Sequence, residues 1–526
     1  MHAAPPIESH DHATSLAYRR RWWALAVLCL SLVLVVLDNT ILNVALPTIA
    51  RDLGAQTSGL QWIVDGYVLV FAGLLLTAGS LGDRFGRRRA LTGGLVLFGL
   101  ASIVASHCTS TGQLITTRCV MGIGAAFVMP ATLSIITNMF TDAEERARAI
   151  AIWAGCAGLG IAIGPVTGGW LLEHFWWGSV FLVNVPVIAL ALIAGRILLP
   201  ESRDPEQPRI DHVGAVLSMA GLASLVWSLI EAGHRGWTDP MILAGFAAAA
   251  AILGMFLSWE RKIDQPMLDV AFFNDRRFSV GTASIALVMF GMFGAMFLMT
   301  QLLQLVMGYS ALQAGIRMLP IAGTMAVVAP ASARLVERSG TKLVVGSGMT
   351  IAAVGLAMMA NVHTGDSYSH IAAAMVVCAF GMALVMAPAT EAIMGSLPPA
   401  KAGVGSAVND TTRELGGALG VAVLGSTMSS VFSSHMAGAG APSVARESLG
   451  SALAVAHQLP GAAGEHLAAV ARNAFMDGMG VTMFIAAAVT FVGAAAAFIW
   501  LPARAAVSDT SANQMDDNAD LVLEAA

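Results

Sequence analysis

The chain has 526 residues, of which 56% are hydrophobic and only 12% charged, and its mean hydropathy is +0.73. Soluble proteins carry about 25% charged residues, and single cores stop growing beyond about 250–300 residues. A soluble fold would leave much of this apolar surface in water, so the composition excludes soluble enzymes. The five cysteines are scattered without CxxC spacing and indicate neither a disulfide framework nor a zinc site. The net charge of −5 is small for this length, so its sign gives no information about nucleic acid, and no nucleic-acid partner is expected.

Apolar runs of about 20 residues, long enough to cross about 30 Å of hydrocarbon, recur along almost the whole chain. Strands of a barrel would be shorter and alternating, so these runs predict an all-α polytopic membrane protein. We expect about fourteen transmembrane helices. They lie near residues 22–46, 61–81, 90–107, 112–137, 149–172, 178–199, 212–231, 240–259, 279–306, 316–335, 343–361, 370–394, 403–428 and 478–501.

The loop arginines and lysines fall almost entirely in one set of alternate loops. The opposite set holds only Arg51, Arg235, Arg446 and Arg472. Because basic residues accumulate on the cytoplasmic side, both termini are predicted to be cytoplasmic, which requires an even number of spans. The site of action is then predicted to be a bacterial cytoplasmic membrane.

A weak internal repeat divides the chain. Residues 79–88 resemble residues 333–342, and both segments follow a span and end on the predicted cytoplasmic side. Equivalent loops of this kind indicate two parallel halves of six helices with two helices inserted between them, as in many secondary transporters. The predicted divisions are a cytoplasmic N-terminal segment 1–21, a first half 22–199, inserted helices 212–259, a second half 279–501 and a disordered acidic cytoplasmic tail 502–526. Within the second half, residues 429–477 are predicted to be extracellular, with helical patterns at 448–459 and 465–475.

Five segments carry a family resemblance: Leu37–Pro47 in the first span, Gln61–Asp65 at the second, the loop Gly79–Leu91, Leu114–Ala125 in the fourth span and Gly160–Gly169 in the fifth. Together they resemble the major facilitator superfamily, specifically its 14-span drug:proton antiporter branch of QacA-like multidrug efflux transporters. The similarity runs over nearly the whole chain. It implies the major facilitator fold, arranged as 6+2+6 helices, and secondary transport rather than catalysis.

The resemblance assigns a conformational role to two of these segments. In the loop, Gly86 permits a tight turn, and Asp83 at a helix end is placed to cap amides and to bind arginines across the halves. The glycines of the fifth span form one small-residue face, which favours close helix approach. The alternative for the loop is that its arginines only anchor it at the cytoplasmic side. The alternative for the glycines is that they only serve helix packing. The conformational residues are Gly79, Asp83, Arg84, Gly86, Arg87, Arg88, Gly160, Gly164, Pro165, Gly168 and Gly169.

Ionisable residues inside the spans are expensive and functional by default. Asp38 and Arg118 are predicted to lie at similar depth in the first and fourth spans, so we expect them to pair. The resemblance places both residues in the proton-coupling region. A purely structural ion pair is the alternative.

The thirteenth span brings two further carboxylates together. Asp410 and Glu414 are four residues apart on one helix face, and Arg413 lies beside them. Two carboxylates that close do not both ionise readily, so one holds a proton near neutral pH, as proton coupling requires. Arg413 departs from the QacA-like pattern and is placed to neutralise one acid, which puts a site for dications in doubt.

The predicted substrate site combines acids with flexible apolar side chains. Asp65 lies about one turn inside the outer face, and a methionine stripe in the ninth span suits flat lipophilic molecules because methionine is flexible and polarisable. The alternative for the methionine stripe is helix packing. The alternative for the two acids, Asp65 and Glu391, is an ordinary position at the membrane interface. The site comprises Asp65, Tyr67, Met292, Phe293, Met296 and Glu391.

Energy is predicted to come from an ion gradient. No phosphate loop GxxxxGK[ST], HExxH or GxSxG motif occurs, and neither a cofactor nor a metal is expected. We therefore predict proton-coupled efflux of lipophilic, cationic drugs or antiseptics by alternating access. The expected partners are the small-molecule substrate, protons and membrane lipids, and the transporter is expected to be a monomer. The alternatives are export of an endogenous natural product or lipid, uptake symport, and a non-transporting receptor or subunit.

Overall fold

A computed structural model describes residues 20–53, 57–203, 211–264 and 266–502. Nearly all of the predicted N-terminal segment 1–21 and of the acidic tail 502–526 lies outside these residues. Within them, fourteen helices are long and apolar enough to cross a membrane, which confirms the predicted number of spans. The cytoplasmic position of the two termini stays a prediction.

The first half begins with five long helices, α1 (Arg21–Leu53), α2 (Thr57–Phe85), α3 (Arg87–Ser106), α4 (Thr111–Met139) and α5 (Ala143–His174). Its sixth span consists of the short α6 (Ser179–Leu182) and α7 (Asn184–Leu198). Side chains at the starts of two helices satisfy backbone amides, because Ser110 accepts from Gln113 and Asp142 from Glu145. Gly86 turns the chain between α2 and α3 with a φ of 114°, a conformation that glycine adopts without strain.

Two inserted helices follow, α8 (His212–Arg235) and α9 (Pro240–Glu260). The second half contains α10 (Arg276–Gln301), continued by a π-helical turn (Leu302–Val306), then α11 (Ala311–Ser339), α12 (Thr341–Ala360), α13 (Tyr368–Met394) and α14 (Ala402–Gly438). The short α15 (Leu449–Gln458) precedes the last span, α16 (Ala462–Trp500).

Helices α14 and α16 are much longer than a membrane crossing requires. Their 37 and 39 residues extend about 55–60 Å, against about 30 Å of hydrocarbon. Both extend into the predicted extracellular segment 429–477, where α15 confirms the helical pattern at 448–459. The pattern at 465–475 forms the start of α16, so this segment is largely helical.

Each half has its own hydrophobic core, one formed by α1–α7 and the other mainly by α10–α16. The halves meet along four helix pairs: α2 with α14, α5 with α11, α4 with α14 and α5 with α13. Small residues allow the backbones to approach closely: a Cβ on Gly79 would lie 2.5 Å from the carbonyl oxygen of Gly403, and one on Gly315 would lie 2.9 Å from Pro165.

The inserted helix α8 lies over the junction between the halves. It packs against both α2 and α14. A Cβ on Gly73 of α2 would contact Met219 of α8 at 3.6 Å, and just after α8 the indole nitrogen of Trp237 donates to Ser426 Oγ of α14 at 3.0 Å. The inserted pair is therefore attached to both halves at the α2–α14 interface.

Candidate functional site

The first half contains a buried ion pair. Arg118 Nη1 on α4 donates to Asp38 Oδ2 on α1 at 2.5 Å, and the two residues are 0% and 2% exposed. Asn184 donates to the other Asp38 oxygen at 2.7 Å. The remaining guanidinium nitrogens donate to Asn39 Oδ1 and to the carbonyl of Ile63. The predicted pairing is confirmed, and its hydrogen bonds satisfy both charges, as a stable buried pair requires.

Tyr67 lies directly beside this pair. The Arg118 guanidinium carbon stands 4.2 Å from the centre of the Tyr67 ring, within cation–π distance. Tyr67 is completely buried, and Asn39, which also bonds Arg118, lies beside it. The structure therefore places this predicted substrate ligand in the charged interior of the first half.

A second charged cluster lies on α14, facing the first half. Arg413 is 7% exposed, and its guanidinium carbon lies 4.9 Å from the ring centre of Trp153 on α5. Asp410 Oδ1 accepts a hydrogen bond from Asn409 at 3.2 Å. Asp410 Oδ2 and two Arg413 nitrogens, Nε and Nη2, are buried without hydrogen-bond partners. This cluster, with the half-buried Glu414 on the next residue, is poorly satisfied compared with the Asp38–Arg118 pair.

A small, partly open methionine-rich cavity lies in the second half, against Ile161 of α5. Met292 and Met296, two of the predicted substrate ligands, line it, whereas Phe293 lies outside it with its ring against Gly417 of α14. The other lining residues are Ala295, Met299, Met318, Ile321, Met325, Met359, Met375, Cys378, Ala379 and Met382. The cavity wall contains no charged side chain and matches the apolar part of a lipophilic molecule.

Asp65 lies away from this cavity, between α2 and the inserted helix α8. It lines a separate, small space together with Trp62, Leu69, Trp227, Ile230 and Glu231. Glu231 pairs with Arg235 at 2.7 Å, one turn further along α8. Two carboxylates beside two indole rings are groups that attract organic cations.

One end of the bundle, here called the basic end, is where α2 ends, α3 begins and Arg84, Arg87 and Arg88 lie. Asp83 accepts hydrogen bonds there from the backbone amides of Gly403 and Val404, at 2.9 and 3.2 Å, across the two halves. Its arginine partner is Arg87 of its own half, at 2.6 Å. Asp83 therefore caps a helix of the other half, as an acidic group at a helix N-terminus does.

The arginines of the loop have separate roles. Arg87 also donates to the carbonyls of Pro399 and Ala400 in the other half, at 3.0 and 2.9 Å. Arg88 stays in its own half and donates to Leu199 O at 3.1 Å, and Arg84 stacks on the Phe85 ring at 5.4 Å. Arg87 therefore joins this loop to the other half.

Glu391 lies at the basic end and not at the methionine cavity. Its Oε1 accepts two hydrogen bonds from Arg146 of the first half, at 2.9 and 3.0 Å. The structure thus places this predicted substrate ligand in a second ionic contact between the halves.

The glycine face of α5 packs on two helices. Additional Cβ atoms on Gly160, Gly164 and Gly168 would meet Val36, Thr40 and Ile41 of α1. Pro165 and Gly169 instead contact Gly315 and Leu312 of α11. The motif therefore holds α5 between the first span and the other half.

Two functional neighbours were missed by sequence reasoning. Asn184 is a fully buried amide in an otherwise apolar span, and it bonds Asp38. Trp153 lies in the interior of α5, whereas tryptophan usually lies at the membrane interface, and it stacks on Arg413. A polar or indole side chain in the middle of a span was the available signal in both cases.

Buried charges on facing halves, an apolar cavity and ionic contacts at one end define a secondary transporter. A sequence profile of the Major Facilitator Superfamily matches residues 28–421. The chain is 39% identical to the multidrug efflux pump LfrA of Mycolicibacterium smegmatis over 92% of this chain and 97% of LfrA. It is 36% identical to the methyl viologen resistance protein SmvA of Salmonella typhimurium over 87% and 93% of the two chains.

The fold is also similar to that of the human organic anion transporter MFSD10, with a TM-score of 0.59 and 17% identity over 90% of this chain and 99% of that one. The chain belongs to the major facilitator superfamily. It is a multi-pass protein of the cytoplasmic membrane and a secondary transporter, not an enzyme.

Proposed function

We propose that this transporter exports lipophilic cationic drugs and antiseptics in exchange for protons. The observation that carries the proposal is the arrangement of charge. One half contains a satisfied Asp38–Arg118 pair, and α14 of the other carries the poorly satisfied Asp410 and Arg413 beside Glu414. Ionisable groups at this depth are costly, and proton relays are one of their established uses.

The methionine-rich cavity supplies the complementary apolar contacts. Its thioether side chains adapt to different flat molecules, so one cavity accommodates several compounds. Asp65, with Trp62 and Trp227, offers a further contact for positive charge on the α2–α8 side. This combination supports a substrate that is lipophilic and carries positive charge.

The relatives support the same substrate class. LfrA is named as a multidrug efflux pump, and SmvA is named for resistance to methyl viologen, which is a flat organic cation. We carry efflux of such molecules over to this chain.

The contacts at the basic end provide the gate. We take this end as cytoplasmic, because basic residues accumulate on that side. Asp83 on the α14 amides, Arg87 on the carbonyls of Pro399 and Ala400, and Arg146 on Glu391 join the two halves there. Opening toward the cytoplasm requires all of these contacts to break. Closing them again exposes the substrate on the other side, which is alternating access.

Proton coupling is required by energetics. Moving one positive charge outward costs about 2.3 kcal/mol per 100 mV of membrane potential, so a cation is concentrated outside only when its export is coupled to proton entry. A proton that neutralises Asp38, Asp410 or Glu414 weakens the attraction of that group for a bound cation. Substrate and proton therefore compete, and exchange follows.

Ethidium efflux from bacterial cells tests the proposal. Cells expressing the chain are loaded with ethidium and energised, and fluorescence is followed with and without a protonophore. We expect protonophore-sensitive efflux in these cells. We expect Asp38→Asn to reduce it to the level of cells that do not express the transporter. The matched control is Asp477→Asn, whose side chain is 61% exposed on α16. Retained coupled efflux in the Asp38 variant, at equal expression, would falsify the proton-coupling role.

A further inference from the structure

We propose that Arg413 is a built-in competitor of the cationic substrate. It occupies the face of the Trp153 indole, and a planar organic cation has to displace it to bind there. The inference rests on the proposed function and deepens it, because it names the residue that sets the affinity for the charged ring of the substrate. The juxtaposition that carries it is a guanidinium of one half stacked on an indole of the other, with two of its nitrogens left without hydrogen bonds.

The stack lies between the two halves, near the middle of the membrane. Arg413 follows the start of α14 by eleven residues and Trp153 follows the start of α5 by ten, and both helices begin at the basic end. At 1.5 Å per residue, the two side chains lie about 17 and 15 Å from that end, which is half of about 30 Å of hydrocarbon. Transporters built from two repeats bind their substrates at this depth, between the repeats.

The first half holds the indole in place. Trp153 is completely buried, and its Nε1 donates to Thr132 Oγ1 of α4 at 3.2 Å. The indole nitrogen is thereby satisfied, and a face of the ring is turned to α14, where the Arg413 guanidinium carbon lies 4.9 Å from the ring centre. A fixed aromatic face of this kind binds flat organic cations as well as guanidinium groups.

Arg413 is held weakly enough to be displaced. A buried guanidinium normally donates several hydrogen bonds, as Arg118 does in the first half. In the part of the chain that the structure describes, Arg413 Nε and Nη2 donate none. Asp410, one turn earlier on the same helix, has an Oδ2 that accepts no hydrogen bond there either. A displaced Arg413 therefore has a carboxylate acceptor within reach and stays paired while the substrate occupies the indole.

Competition of this kind selects substrates by shape and by charge. A flat cation replaces the guanidinium on the indole, whereas a neutral or bulky molecule does not make the same contact. A second positive charge on the substrate is repelled by the displaced Arg413, so a dication gains less than a monocation. Arg413 therefore favours flat monocations such as ethidium over flat dications such as methyl viologen.

The test measures equilibrium binding of ethidium and methyl viologen to the full chain in detergent. Arg413→Lys keeps the positive charge but not the planar group that stacks on a ring, and Arg413→Gln removes the charge as well. Arg317→Lys is the matched control, because the Arg317 guanidinium also stacks on a ring, that of Tyr309 at 3.7 Å, but within the second half. Trp153→Phe is combined with Arg413→Gln to reduce the aromatic face, and the thermal midpoint of each protein is recorded.

We expect Arg413→Gln to tighten ethidium binding about fivefold and methyl viologen binding more, since a desolvated cation–π contact no longer has to be broken. Arg413→Lys tightens ethidium binding about threefold, because an ammonium group stacks less well. Trp153→Phe cancels most of the gain in the Arg413→Gln protein. Arg317→Lys changes neither affinity more than about twofold.

Unchanged or weaker ethidium binding in Arg413→Gln overturns the inference. A gain that Trp153→Phe leaves intact also overturns it, because the effect would then be long-range charge alone, and so does an equal gain in Arg317→Lys. Should Arg413→Gln not fold, unchanged binding in Arg413→Lys overturns the inference by the same criterion. Absence of saturable ethidium binding in wild type and in all variants refutes the proposed function together with the inference.

Discussion

Replacing Gly403 by alanine provides a direct test of the gate at the basic end. Gly403 lies at the start of α14, where its amide donates to Asp83, and it crosses Gly79 of α2. A Cβ at position 403 would lie 2.6 Å from the Gly79 carbonyl oxygen and also against the Asp83 carboxylate. Since Cβ contacts below 3.0 Å essentially never occur, α2 and α14 have to move apart.

The added methyl group destabilises the conformation in which α2 and α14 are in contact at the basic end. Inserting a carbon into a tight contact costs about 1–3 kcal/mol, while the same methyl group meets nothing once the two helices separate. The equilibrium between joined and open conformations then shifts about 5- to 150-fold toward the open one, since 1.4 kcal/mol is a factor of ten. The separation also lengthens the two hydrogen bonds that the Gly403 and Val404 amides donate to Asp83, at 2.9 and 3.2 Å, and this adds to the shift.

Distances between spin labels on the two halves report this shift. In a background without the five native cysteines, Arg89→Cys and Leu343→Cys place one exposed label at the basic end of each half. We expect Gly403→Ala to increase the population with a long distance. Gly93→Ala is the matched control: it adds the same methyl group to a helix, but nothing lies within 4 Å of it. Identical distance distributions for the two alanine variants would refute the gate.

Two further substitutions test substrate binding. Ala379→Leu adds bulk to the wall of the methionine cavity, so we expect a several-fold higher KM for ethidium, and an unchanged KM would contradict a role for the cavity. Asp65→Asn removes one of two carboxylates beside Trp62 and Trp227, and we expect about fivefold weaker binding of methyl viologen, since a partly exposed ion pair is worth about 1 kcal/mol. Equal affinity in a methyl viologen binding assay would exclude Asp65 from the substrate route.

Features that depend on position along a helix, such as the number of spans and the depth of a residue within a span, were predicted correctly from the sequence. Hydrophobic length determined the fourteen spans, and distance from the span ends placed Asp38 and Arg118 at one level, where the structure pairs them. The repeat 79–88 and 333–342 separated the halves, each of which has its own core.

Features that depend on how helices cross were not predictable in this way. The depth of Glu391 near a span end fits an interface residue, a substrate ligand or a gate residue equally, and only the approach of α5 to α13 brings it to Arg146. Asp83 was expected to cap neighbouring amides and to bind arginines across the halves. The amides that it caps belong to the other half, and its arginine partner, Arg87, belongs to its own. The direction in which a side chain faces around its helix, and the choice of helices that pack together, are set by tertiary structure.

In the proposed cycle, the α2–α14 pair couples protonation and gating through rigid elements. Helix α2 carries Asp83 at its basic end, and α14 carries the amide of Gly403 at the same level and Glu414 about 17 Å further along. A change of charge at the centre therefore acts on the same two helices that close the gate about 17 Å away. No separate signalling element is required, because an α-helix transmits a tilt along its length. We infer that variants at the two levels of this pair alter each other's effects, and double variants measure that coupling directly.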